Sequence, residues 1–221
     1  DVPDIAAIAA VTRERGVPLA VDSTVTTPIL VQPKRLGADL IVHSTSKFIN
    51  GHGNAIGGII VDAGTFDWAS PRFSHLAPFR AKVGRFALLA VLRNRICRDL
   101  GCCLAPFNAF LLTMGVESLG LRMERHCENA ARVAAFLAAH PKVDGAGYPG
   151  LESHPDHAVA NRQFGDRYGA LVTLKLVHGT DASVSSTACA WRRTLPTWAM
   201  CGRWSFTRHR PSAGISTRRN G

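Results

Sequence analysis

Two short apolar runs, each ending in a residue of opposite charge, constrain the fold of this chain more than any other feature. Val17-Pro18-Leu19-Ala20-Val21 ends in Asp22, and Asp39-Leu40-Ile41-Val42 leads through His43-Ser44-Thr45-Ser46 to Lys47. Between them lie a turn at Thr27-Pro28 and a short helix, Pro33 to Leu36, closed by Gly37. A third apolar run occupies 57–62. Near-continuous apolar strands separated by helical segments predict an α/β fold with a mainly parallel sheet buried on both faces. In such sheets ligands lie beyond the carboxyl ends of the strands, where Asp22 and Lys47 both fall.

The rest of the chain reads as helices with one further strand. Asp4 to Arg15 is amphipathic, with Ile5, Ile8, Ala9 and Thr12 on one face and Gly16 as the stop. Residues 69–84 read as an irregular basic loop. Phe86 to Arg98 and Pro106 to Met114 read as helices. Glu117 to His140 carries the clearest stripe: Leu119, Met123, Cys127, Ala130, Ala134 and Leu137, ended by Pro141. That stripe is a packing face. A Gly/Pro/His loop at 147–158 precedes a strand over Ala170 to Val177, and periodicity vanishes beyond Gly179. The expected division is a partial large domain over 1–116, a linking helix with a partial second domain over 117–180, and an aberrant tail over 181–221.

Composition excludes several classes of function. Of 221 residues, 46% are hydrophobic, enough for one large domain or two modest ones. No apolar run approaches the ~18 residues of a membrane span. Residue 1 is Asp and helix-like sequence follows at once, so the chain reads as the interior of a longer protein. The six cysteines show no zinc spacing and no secretory context, which suits thiols in a cytoplasmic enzyme. The formal charge of +10 suggests nucleic acid, but seven arginines after Asp181 supply most of it, in a stretch without acid or lysine that also holds Trp191, Trp198 and Trp204. The expectation is no nucleic-acid partner and no membrane. Gly51-x-Gly53-x-x-x-Gly57 misses the dinucleotide fingerprint, and His154-Pro155-Asp156-His157 reads as a surface turn, with no metal expected.

A lysine and an aspartate at neighbouring strand ends, with hydroxyls just before the lysine, suit pyridoxal 5'-phosphate (PLP). The amine of Lys47 forms the Schiff base, the carboxylate of Asp22 holds the pyridine nitrogen protonated, and Ser44 and Ser46 bond the phosphate. Burial is expected to lower the lysine's proton affinity so that it attacks as a free amine. The bland alternatives are a surface lysine, an aspartate that only caps the following helix, and serines that only shape a turn. His43 and His52 flank the lysine as substrate contacts or as satisfied packing groups.

On Val21-Asp22-Ser23-Thr24, His43 to Gly58, Phe66-Asp67-Trp68, Leu104 to Phe110, Leu121 to His126, and Tyr148 to Leu151 through His157-Ala158, the chain resembles the Cys/Met-metabolism family of PLP enzymes. The resemblance covers residues 1 to about 178, apart from 69–96. It implies fold type I, the aspartate-aminotransferase-like fold. It also implies Lys47 as the PLP lysine, Asp22 as the ring-nitrogen partner, and Ser44, Ser46 and Ser23 at cofactor-contacting positions. Where Ser23 and Ser46 stand the family usually has Asn and Thr. The branch it resembles most replaces the acetate of O-acetyl-L-homoserine with sulfide or thiol, giving homocysteine or methionine. Methionine γ-lyase, a cystathionine-forming or -cleaving enzyme, and a non-catalytic remnant remain as alternatives. The family implies a small amino-acid substrate and a homo-oligomer, commonly a tetramer. Its N-terminal part is expected to be missing, with the phosphate loop, the ring that stacks on PLP, and a Tyr/Arg pair lent by a neighbouring subunit. No residue beyond 180 matches the arginine that grips the substrate carboxylate.

The tail carries one further expectation. Back-translated and read with the last base of one codon plus the first two of the next, it permits FIDSLRLASHLANVGDVRSLVIHPAS, which resembles the family's own continuation. A shift of reading frame near residue 180 accounts for that, and for the Arg/Trp-rich composition.

Overall fold

A computed structural model describes residues 1–177; the tail over 181–221, with its expected frame-shift and its arginines, lies outside the described residues. Asp4 opens the first helix by accepting the amide of Ala7 at 3.1 Å, and α1 runs Ile5–Glu14 with Ile5 and Ala9 buried. The sheet follows as β1 (Ala20–Asp22), β2 (Leu40–Ser44) and β3 (Gly58–Asp62). A short helix α2 (Thr27–Leu30) and a 3-10 turn, Pro33–Leu36, make the crossover between β1 and β2. Gly37 closes that turn at φ 96°, and a Cβ there would lie 2.7 Å from the Cβ of Ala9, so glycine is what lets α1 pack down.

Sheet direction differs in part from the sequence expectation. β1 and β2 are parallel, with Asp22 opposite Val42, whereas β3 pairs antiparallel to β2. The connection over 45–57 is a non-helical loop that returns along the adjacent edge, and only a crossover would have reversed that direction. The expected burial on both faces also fails at β3, where Ile59, Ile60 and Val61 are all more than 40% exposed.

Residues 69–84 are not an irregular loop. They form a 3-10 helix, Pro71–Leu76, and then α3 (Ala77–Val83). Pro71 and Pro78 sit in first turns, where the missing N–H costs nothing. Phe66, Trp68 and Phe73 pack edge-to-face at 4.7–5.5 Å around buried Leu76 and Ala87. Helical backbone continues through α4 (Ala87–Val91), a π-helical turn at Leu92–Cys97, and α5 (Arg98–Leu100).

Two longer helices organise what remains: α6 (Pro106–Glu117) and α7 (Leu119–Ala138), hinged at Ser118. The buried residues of α7 are Leu119, Met123, Cys127, Ala130 and Ala134, five of the six in the stripe read from the sequence. Its first half joins the main core with Ile5, Leu30, Val31, Phe48 and Ile49. Its second half packs on Tyr148, between α7 and a two-stranded antiparallel sheet of β4 (Val143–Gly147) and β5 (Thr173–Leu176). Strand β4 escapes a sequence reading because Val143-Asp144-Gly145-Ala146-Gly147 has two glycines and one large apolar side chain. Helix α8 (His157–Phe164) escapes it by emerging from a Pro/His turn. The chain's start is tied to α8: Val2 N–H donates to Asp156 at 2.8 Å, Ile5 N–H to Gln163 at 2.9 Å, and Arg162 pairs with Asp4 at 2.8 Å.

Candidate active site

The turn after β2 decides how Lys47 is presented. Asn50 N–H donates to Thr45 O at 3.0 Å and Gly51 N–H to Lys47 O at 2.8 Å, and Gly51 takes φ 73°. Phe48 and Ile49 enter the main core and Asn50 is fully buried, so Lys47 is the exposed member of the four. The desolvated lysine expected from sequence is therefore not found in this chain. The turn anchors itself on the neighbouring residues, and no described residue makes a hydrogen bond or ion pair with the amine.

Asp22 lies at the carboxyl end of β1, beside the strand that leads to Lys47. Its Oδ1 accepts the hydroxyl of Thr24 at 2.5 Å and the amide of Thr24 at 2.9 Å. The Thr24 hydroxyl, then its amide, and then the charge of His43 hold the Asp22 carboxyl below the usual carboxylate range. The same hydroxyl accepts Ser44 N–H at 2.7 Å. A continuous chain of bonds thus runs from the carboxylate at the end of β1 to the backbone at the end of β2, three residues before the lysine. Thr27, the first residue of α2, is fully buried at φ 56°, an unusual conformation for a β-branched residue.

The three serines differ in availability. Ser44 is half-buried, and its hydroxyl has no partner among the described residues. The Ser46 hydroxyl donates to Gly57 O at 3.2 Å and accepts Gly57 N–H at 3.0 Å, so its proton is committed to bracing the loop. Ser23 is 3% exposed and pairs with the Thr26 hydroxyl at 2.6 Å. His43 is buried against Ser23 O at 3.0 Å, and His52 meets Asn50 O at 2.7 Å, so both rings are engaged within the chain. In the His154 turn, the Nδ1 of His154 accepts Asp156 N–H and the Nδ1 of His157 faces Pro149 O.

Two residues that matter to this geometry were not singled out from the sequence. Thr24 has a local signal, a hydroxyl two positions after an acid, which is the spacing of an Asx turn. Arg122 has none, because the carbonyls it meets in the lysine turn lie more than 70 positions away.

An anion-facing end and an amine-facing end on adjacent parallel strands fit a protonated pyridine ring bearing an aldehyde, and the Ser44 hydroxyl fits a phosphate oxygen. The profile of the family described as Cys/Met metabolism PLP-dependent enzyme matches residues 1–194. An O-acetyl-L-homoserine sulfhydrylase of Leptospira meyeri is 41% identical over 200 residues, covering 82% of this chain and 45% of the relative. A homocysteine synthase of Schizosaccharomyces pombe is 43% identical over 195 residues, covering 83% and 46%. Among solved structures, the O-acetylhomoserine sulfhydrylase of the methionine biosynthetic pathway of Wolinella succinogenes superposes with a TM-score of 0.72 at 41% identity, covering 80% of this chain and 49% of that one. The chain spans less than half the length of these relatives.

Proposed function

The chain belongs to the Cys/Met-metabolism PLP-dependent enzymes, fold type I, and from that membership we propose that it carries the lysine side of a site for γ-replacement on O-acetyl-L-homoserine. Sulfide or a thiol replaces acetate, giving homocysteine or methionine. One observation carries the reading: Asp22 and the turn bearing Lys47 close adjacent parallel strands and are joined through Thr24. The names of the relatives, O-acetyl-L-homoserine sulfhydrylase and homocysteine synthase, supply the substrate class.

When bound, PLP supplies an electron sink that acidifies the protons at Cα and Cβ of an amino acid. Lys47, exposed in its turn, would hold PLP by its amine. The same amine would move the α-proton of the substrate and, on the next carbon, the β-proton. Asp22, kept ionised by Thr24 and His43, holds the ring nitrogen protonated. Ser44 donates its unengaged hydroxyl to the phosphate, while Ser46 and Ser23 keep the two loops in shape from behind. We assign 1–116 to the cofactor-binding domain and 117–180 to a linking helix and second domain. Exposed Ile56, Phe107 and Phe110 support assembly into a homo-oligomer. A reducing cytoplasm suits the free thiols of Cys97, Cys102, Cys103 and Cys127.

The test is direct. The chain is incubated with PLP and reduced with borohydride, and its peptides are mapped; the reading expects an adduct on Lys47 that Lys47→Ala abolishes. Supplied with O-acetyl-L-homoserine and sulfide, the loaded protein should release acetate and homocysteine. An adduct scattered over surface lysines, unchanged in Lys47→Ala, overturns the assignment. A 2-oxo acid released from methionine, without acetate exchange, replaces γ-replacement by elimination.

A further inference from the structure

Arg122 sits in the first turn of α7, and its guanidinium faces away from the charged surface of that helix. Nη1 donates to Phe48 O at 2.7 Å, and Nη2 to Ile49 O at 3.1 Å and Gly115 O at 2.7 Å. Nε donates to the Ser118 hydroxyl at 3.0 Å. Phe48 and Ile49 are the two residues after Lys47, and the carbonyl of Lys47 itself is taken by Gly51 N–H. Three successive carbonyls of the lysine turn are therefore fixed, two of them by one planar cation. Gly115 lies in the last turn of α6, where carbonyls lack helical partners and a cation is favoured. The guanidinium fork suits such a cluster, and each of its bonds is charge-assisted.

The surrounding residues are shaped to this contact. A Cβ on Gly51 would overlap Nη1, and a Cβ on Gly115 would overlap the carbonyl of Asn50. Both glycines permit the close approach of α6 and α7 to the lysine turn. One helical turn beyond Arg122, His126 packs edge-on against Phe48 with ring centroids 5.6 Å apart. Burial, and then the Arg122 charge, lower the proton affinity of His126.

We propose that Arg122 is a positioning residue for Lys47: by holding the carbonyls of Phe48 and Ile49 against the end of α6, it fixes where the exposed amine stands and makes that position depend on the packing of α7. The part of this that concerns PLP rests on the function proposed above; the clamp itself does not. Lysine at 122 keeps the charge and the aliphatic stem, but one ammonium lacks the planar fork that spans all three carbonyls. The helix still forms in that variant, and the turn loosens.

The experiment uses the full chain with Arg122→Ala and Arg122→Lys, and Arg125→Ala as a surface control, since Arg125 pairs with Glu128 at an exposed site. Amide hydrogen exchange at Asn50 and Gly51 should quicken tenfold or more in Arg122→Ala and by less in Arg122→Lys, with the amides of β2 unchanged. Borohydride-trapped adduct on Lys47 at limiting PLP should fall in the same order, and millimolar guanidinium should restore part of it in Arg122→Ala only. Unchanged exchange at Asn50 and Gly51 in both variants overturns the proposal. Equal loss throughout β2 and the turn in Arg122→Lys also overturns it, since that marks general destabilisation. If the unsubstituted chain forms no adduct on Lys47, the cofactor reading fails while the exchange measurement still decides the clamp.

Discussion

Thr24 donates its hydroxyl to Asp22 at 2.5 Å and, with the same oxygen, accepts the amide of Ser44 at 2.7 Å. One small side chain thereby ties the end of β1 to the end of β2, reaching an amide 20 positions further along the chain. It also sets the electrostatics at the first of them, because its hydroxyl is the largest influence holding the Asp22 carboxyl in its charged form.

Replacing that hydroxyl while keeping the shape tests the link. Thr24→Val leaves Ser44 N–H without its acceptor and removes one of the two donors to Asp22. The Asp22 carboxyl should then titrate closer to the ordinary carboxylate range, as followed by carbon NMR. Retention of PLP should weaken by roughly fivefold, the scale of one net hydrogen bond of about 1 kcal/mol. An unmoved Asp22 titration would show that the short contact carries no weight in solution.

Met123 is the most enclosed member of the core that supports the lysine turn, with no exposed surface. Met123→Ala should lower stability by about 3 kcal/mol through lost burial and an unfilled cavity, read as a shift in urea midpoint. Leu121→Ala, two positions away and 75% exposed, should stay within about 0.5 kcal/mol. Equal costs at the two sites would contradict the orientation of α7.

His126 gives the fold a pH dependence of defined sign. Burial first, and Arg122 second, make protonation harder in the folded chain than in the unfolded one. Between the folded and the ordinary value the unfolded state binds the extra proton, so stability rises with pH there and is fully present above the ordinary histidine value of 6.5. As pH falls below that value the contribution is lost. The carboxyls of Asp4 and Asp22, also held low, act only in the carboxylate range, so the two windows separate. His126→Phe should flatten the dependence of the urea midpoint between about pH 5 and 7. A slope that survives the substitution assigns it to another group.

The coding DNA decides the origin of the tail. If residues beyond about 180 are read out of frame, the shifted text demands particular synonymous codons: TTG at Leu195, so that His-Leu-Ala reads through, and TCG at Ser186. Sequencing the gene should find both. A CTN codon at Leu195 breaks the alternative text at that point and removes the frame-shift.

The sequence by itself determined what depends on near neighbours. Asp22 ends β1 and Lys47 follows closely on the end of β2 because each comes after a short apolar run. Gly37 closes a turn because the backbone there needs positive φ, and α7 buries one stripe because helical spacing puts Leu119, Met123 and Cys127 on one side. The availability of side chains was settled only by contacts between distant segments. Ser46 and Ser44 are two positions apart and chemically alike, yet the return of Gly57 engages one hydroxyl and leaves the other without a described partner. The antiparallel course of β3, the pairing of glycine-rich β4 with β5, and the reach of Arg122 to Phe48 across 74 positions are of the same kind. Local pattern fixes which way a side chain leaves its own backbone. What that side chain meets depends on chain closure over tens of residues, and only the assembled packing sets it.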